Sequence, residues 1–268
     1  MKCYFTFSLA LVLMMALGFT AFAQGLPSSK ATADVNTLVR CNMSTATAGD
    51  DGVVLPTACF DLYTGTPQVV TSDGWIPIME KKVKLSNSQS LFVSPSLVTG
   101  LYTRTRTKTA TGSTSTAQAM GGVYLRAVLV PDAGGDEIVA APLTLCVAGV
   151  LGCVVPADSP GEWGVMLDTR IQTLTQSLSE CTVMVEGDLS GTCSFTSVID
   201  LVLKTTSAHT FNFIFPKVGQ GTYTLVIKAA VASGASIIEG SGTAVGAAAF
   251  GVGSVLAESV RLVHDFEF

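Results

Sequence analysis

Apolar residues recur at every second position along much of this chain. Over 122–130, Val123, Leu125, Ala127 and Leu129 fall on one side and Tyr124, Arg126, Val128 and Val130 on the other, the period of two that a β-strand imposes on its side chains. Related patterns predict strands over 75–85, 90–93, 101–107, 182–186, 197–204, 210–215 and 222–231, with 138–148 as a continuous apolar candidate. The stretch WGVMLDTRIQTLTQSL, 163–178, places Met166, Ile171, Leu174 and Leu178 on a helical stripe. Its β-branched, threonine-rich interior favours a strand instead. Turn signals separate these runs, among them Asp50-Asp51-Gly52, Thr64-Gly65-Thr66-Pro67 and PDAGGDE at 131–137. Many short strands punctuated in this way predict an all-β chain folded as an antiparallel β-sandwich.

Between the strands lie quieter segments. Residues 24–40 read as a flexible leader and 41–268 as one sandwich domain. TATGSTSTAQAMGG, 109–122, reads as a hairpin tip or linker. It and the turn at 131–137 are the two places where the domain could divide. The glycine- and alanine-rich run 240–257 reads as a bulged strand or a loop. Being uncharged and flat, it is a candidate unpaired edge for self-association.

The first residues change the picture from fold to compartment. Lys2 precedes an apolar run from Leu9 to Leu17 and a small-x-small site, Ala21-Phe22-Ala23. Residues 1–23 therefore read as a signal peptide, the apolar run being shorter than the roughly 20 residues of a spanning helix. Fifteen basic groups less Lys2 leave 14 against 20 acidic ones, a formal charge of −6 after cleavage. That balance offers no general attraction to nucleic acid or anionic membrane. Six cysteines remain: Cys41, Cys59, Cys146, Cys153, Cys181 and Cys193. An even number in an exported chain predicts disulfides, and proximity pairs them in that order as local staples.

Candidate chemistry is sparse. His209 and His264 stand apart in the sequence, and no nucleophile elbow, metalloprotease helix, Walker loop or dinucleotide fingerprint occurs. Asp73, Asp168, Glu162 and Glu186 are ordinary turn or strand carboxylates, so a hydrolase would need a carboxylate pair that the sequence does not single out. Arg104, Arg106 and Lys108 alternate with Thr105 and Thr107, forming one face that could grip an anionic ligand or simply solvate an edge strand. Asp132, Asp136 and Glu137 surround Gly134-Gly135 but lack the spacing of a calcium loop. Asn42-Met43-Ser44 is a glycosylation sequon. The pattern calls for no cofactor or metal.

One corner resembles a known family. In AHTFNFIFPKVGQGTYTLVIKAAV, an alternating strand carrying Phe211, Phe213 and Phe215 passes through Pro216 and a glycine turn into a strand headed by Tyr223. This resembles the E-to-F corner of immunoglobulin-like and fibronectin type III-like modules, over about 25 residues. The resemblance implies a sandwich in which Tyr223 ties the corner to upstream backbone. Leu225 stands where antibody domains carry a core cysteine. The tail, with Val260, Leu262, His264, Phe266 and Phe268 alternating, is similar to the closing strand of bacterial outer-membrane barrels. The reading is a secreted, non-enzymatic protein that binds or adheres to an extracellular protein or glycan, with Trp75 or Trp163 as aromatic contacts. Its alternatives are a self-assembling structural subunit, a membrane barrel and a secreted hydrolase.

Overall fold

The computed structural model describes residues 30–49, 52–63, 68–69, 74–141, 164–185 and 188–260. The signal segment, Cys146, Cys153, Trp163, His264 and the alternating tail beyond Val260 lie outside them. In chain order the strands are β1 (Ala31–Asn36), β2 (Arg40–Ala48), β3 (Gln68–Val69), β4 (Ile76–Leu85), β5 (Gln89–Ala110), β6 (Thr114–Pro131), β7 (Ile138–Val139), β8 (Val165–Ser177), β9 (Thr182–Val185), β10 (Asp188–Thr192), β11 (Thr196–Thr210), β12 (Phe213–Val218), β13 (Gly221–Glu239) and β14 (Ser241–Val260).

Two sheets face each other. The first runs β11-β5-β14-β2-β3, with β12 on β5 and β1 on β14; the second runs β4-β13-β6-β7, with β8 also on β6. Every pairing is antiparallel except β2 with β3. Consecutive long strands cross between sheets: β4, β5 and β6 alternate second, first, second, while β12, β13 and β14 alternate first, second, first. The chain thus makes stacked arches, each closed by a short turn. Gly240 sits in one turn with φ +72°, and Gly112 in its neighbour with φ +76°, backbone that glycine adopts without strain. At 22 residues, β5 spans about 70 Å.

The interior has two characters. Phe213, Phe215, Phe250, Leu91, Leu125, Leu129, Leu225 and Ile227 fill an apolar region with almost no exposed surface. Toward the Gly112 and Gly240 turns the facing residues become small or polar: Ala117, Ala119, Thr103, Thr105, Thr107, Thr109, Gln172 and Gln176, all buried. Small residues also let the sheets touch: a Cβ on Gly121 would lie 2.6 Å from the backbone oxygen of Ala247. Cys41–Cys59 and Cys181–Cys193 form disulfides. The first ties β2 to the loop 52–63, whose Leu62 and Tyr63 cover Val245 and Ala247 on the outer face of the first sheet.

Several element readings need correction. The 109–122 segment is no linker: it ends β5, turns over 111–113 and enters β6, where the arch neighbours bury Ala117 and Ala119. The separate strands read at 90–93 and 101–107 are one strand, which continues through Pro95 where pairing passes from β12 to β11. Part of the leader is β1, paired along β14. The 240–257 run is a bulged strand, with a register shift between Phe250 and Gly253. It is not an edge, since β14 is flanked by β5 on one side and by β2 and β1 on the other. The strand favoured for 163–178 needs no such correction: it is β8 over Val165–Ser177, and its inward Gln172 and Gln176 meet β5.

Candidate functional site

The residues with most chemistry converge where the edge strands β8 and β11 flank β5. On β5 the odd-numbered threonines point into the sandwich and the even-numbered Tyr102, Arg104, Arg106 and Lys108 point out. The inward face meets β8. Thr103 Oγ1 donates to Gln172 Oε1 at 2.6 Å, Gln172 Nε2 donates to Thr105 Oγ1 at 2.6 Å and to the Leu201 carbonyl at 2.9 Å, and Thr107 donates to Gln176 Oε1 at 3.0 Å. Burying polar groups is tolerable when they are bonded in this way. The seam fastens β8, β5 and β11 together.

At the far end of the seam, Asp168 accepts from Thr99 Oγ1 at 2.5 Å and lies 3.4 Å from His209 Nε2, which also meets Ser207 Oγ at 2.7 Å. A serine and a histidine two residues apart on β11 therefore meet an aspartate of β8, which is distant in sequence. Both contacts fall on the same ring nitrogen. A hydrolytic triad needs serine and carboxylate on opposite nitrogens, so that one orients the ring while the other passes the proton. Arg170 adds a bond to Thr205 Oγ1. The cluster is built as a hydrogen-bonded clasp between β5, β8 and β11.

The outward face of β5 was the candidate anionic-ligand face. Arg104 makes a bidentate pair with Asp200 of β11, Nε to Oδ1 at 3.0 Å and Nη2 to Oδ2 at 2.6 Å, and Arg106 Nη1 lies 3.8 Å from the same carboxylate. β5 is not a solvated edge strand, because it is interior to the sheet, between β11 and β14. In the 131–137 turn two carboxylates serve the sheet: Asp132 bonds Lys82 at 2.8 Å, and Glu137 bonds Lys228 at 2.9 Å with Arg126 at 3.7 Å. The Lys82 hydrogen bond, with a further one from Thr224, holds the Asp132 carboxyl below its usual pKa. Among the described residues no group of three or more His, Cys, Asp or Glu could hold a metal ion. Trp75 packs on Tyr124, Ala230 and Ala232 on the outer face of the second sheet. Tyr223 Oη donates to the Gly219 carbonyl at 3.0 Å, spanning the turn from β12 to β13.

What the periodicity could not reveal is the character of β11. It runs 15 residues without a bulge and, among the described residues, pairs with β5 alone. Val198, Ile199, Leu201, Val202 and Leu203 are each between 39% and 50% exposed, on both faces of the strand. The Phe195 carbonyl accepts from Thr111 N–H, and Phe211 N–H donates to the Pro95 carbonyl, each at 3.1 Å. Both bonds lie in the continuous β11–β5 register at odd-numbered residues, so the even-numbered residues turn their backbone N–H and C=O outward. A long, apolar, regular edge without proline or bulge is what soluble β-proteins ordinarily avoid. The apolar run 198–203 was visible in sequence; that it forms an edge was not.

No family model matches the chain, and no curated protein matches it. Among solved structures, "Structure of infectious bursal disease virus Gt strain" is 11% identical, with a TM-score of 0.12 over 88% of this chain and 43% of that one. The chain spans less than half the length of that structure. A similarity at that level bears on neither fold nor function.

Proposed function

We propose that this is an exported, non-enzymatic protein of extracellular binding or adhesion, and that its working surface is the edge of β11, which takes an extended strand of a partner. The observation that carries this reading is the regular 15-residue edge, without proline or bulge, with apolar side chains exposed on both faces. Strand addition to such an edge draws affinity from backbone hydrogen bonds and specificity from alternate side chains. The clasp of Asp168, His209, Gln172 and Thr103 behind β11 supports it, because an edge held rigid loses little entropy on binding. The signal-like segment 1–23 and the two disulfides are compatible with an extracellular location. The immunoglobulin-like corner is part of this proposal: the Tyr223 bond to Gly219 and the change of sheet between β12 and β13 support a distant relationship of architecture.

The test is attachment by cells that export the chain. Val202→Pro removes one outward N–H while leaving the hydrogen bonds to β5 in place. The variant should fold, be exported at the wild-type level and lower attachment to surfaces or to other cells severalfold. Attachment indifferent to Val202→Pro overturns the reading.

A further inference from the structure

The edge of β11 carries a pattern that specifies its occupant. Its centre reads Asp200-Leu201-Val202-Leu203-Lys204: opposite charges flank two leucines, and the leucines flank a valine. Reversed in direction, the pattern keeps its apolar positions and exchanges its charges. An antiparallel copy centred on Val202 therefore sets each Asp200 opposite a Lys204, each Leu201 opposite a Leu203, and Val202 opposite itself. We propose that the partner is a second copy of this chain, joined β11 to β11 about a two-fold axis at Val202, so that the two first sheets become one continuous sheet. The inference rests on the reading of β11 as the binding edge and names what binds there.

Three features agree on this register. Even-numbered residues carry the outward N–H and C=O groups, and the pairing sets even opposite even: Val202 on Val202, Asp200 on Lys204, Val198 on Thr206. Residues opposite one another share a face, so Asp200, Val202 and Lys204 meet on the outer side and Leu201 with Leu203 on the inner. The charges then discriminate among registers. Moving the centre by one residue, to Leu201, keeps the backbone match but sets Asp200 against Val202 and Lys204 against Val198. Asp200 already holds Arg104, and the Lys204 ammonium lies 5.8 Å from the centre of the Tyr63 ring. Both charged groups are thus held on the outer face, where the partner's would arrive. An isologous contact of this kind closes on itself and makes a dimer, not a fibre.

The experiment is sedimentation of the oxidised, exported chain across the micromolar range, combined with spin-label distances. Wild type should be a concentration-dependent dimer, Val202→Pro a monomer that melts with the temperature of wild type diluted to its monomer, and Lys204→Glu a dimer weakened about tenfold, since two symmetric cross-strand pairs turn repulsive. A label at Val202→Cys should give the shortest inter-copy distance. One at Val198→Cys should report backbones about 26 Å apart, four residues on each side of the axis. A wild type that stays monomeric, a dimer that survives both Val202→Pro and Lys204→Glu, or label distances with no minimum at 202 overturns the proposal. Should Val202→Pro fail to fold, Lys204→Glu and the two labelled chains decide it. A monomer whose attachment nonetheless depends on Val202 means that β11 takes another protein's strand, so this inference falls while the function stands. Attachment indifferent to Val202→Pro fells the function itself, whatever the oligomeric state.

Discussion

Tyr63 shows how one residue links a covering loop to the sheet beneath it. Its ring lies on Gly100, where a Cβ would come within 2.9 Å of it, and its hydroxyl reaches the carbonyls of Gly100 and Ala247 at 3.2 and 3.3 Å. Burial disfavours the phenolate and raises the Tyr63 pKa well above 10.0, partly offset by the positive charge of Arg170; Tyr102 moves in the same direction, mainly by burial. Because the folded pKa lies above the unfolded one, this stabilisation is complete below about pH 10. It is lost as pH rises from there, the unfolded chain ionising first, with a slope approaching about 1.4 kcal/mol per pH unit for one group. Urea unfolding between pH 8 and about 11.5 should show that fall in wild type and a shallower one in Tyr63→Phe. Equal slopes would mean that the ring is wetter than its packing indicates. Tyr63 was not singled out by sequence, since it lies in a turn-rich stretch and its partners are 37 and 184 residues away.

Among elements, β5 and β8 illustrate a polar interior that composition disguises. A strand reading TRTRTKT suggests two wet faces. In the fold the threonines are buried and the cations half-buried or exposed, because β8 supplies the amides that make the inward hydroxyls tolerable. Gln172 bonds Thr103, Thr105 and the Leu201 carbonyl, so Gln172→Leu keeps bulk while leaving buried hydroxyls without their partner. It should cost about 2–3 kcal/mol, read from the denaturant midpoint at unchanged m-value. A loss below about 0.5 kcal/mol would show that the seam is hydrated. Since Gln172 also holds the Leu201 carbonyl, the variant should speed amide exchange along β11 more than along β13. Strand type and alternation were legible here; which strands would be edges was not, because period two says which face is buried but not which neighbour takes each backbone edge.

For the whole molecule, the stacked arches make a long sandwich whose ends depend on few cross-links. Cys41–Cys59 closes 18 residues of separation and fastens the covering loop over the first sheet. Replacing both cysteines with serine should cost about 2–4 kcal/mol and loosen 52–63 first, as limited proteolysis would detect. An unchanged stability and cleavage pattern would reduce that bridge to an ornament of the loop. The two-sheet arrangement also answers the barrel alternative: the described strands enclose a filled apolar core and turn Lys82, Lys108 and Lys228 outward, opposite to the lipid-facing pattern of a barrel. Local physics was enough to read the β class, the strand phases, two of the cysteine pairs and the Tyr223 turn, because alternation, turn chemistry and short loops act between near neighbours. The polar seam, the meeting of Asp168 with Ser207 and His209, the central place of β14 and the position of β11 beyond β5, with no other strand partner among the described residues, depend instead on which distant strands become adjacent. That choice is made by the fit of whole faces: glycine and alanine where the sheets must touch, and amides opposite hydroxyls where they part.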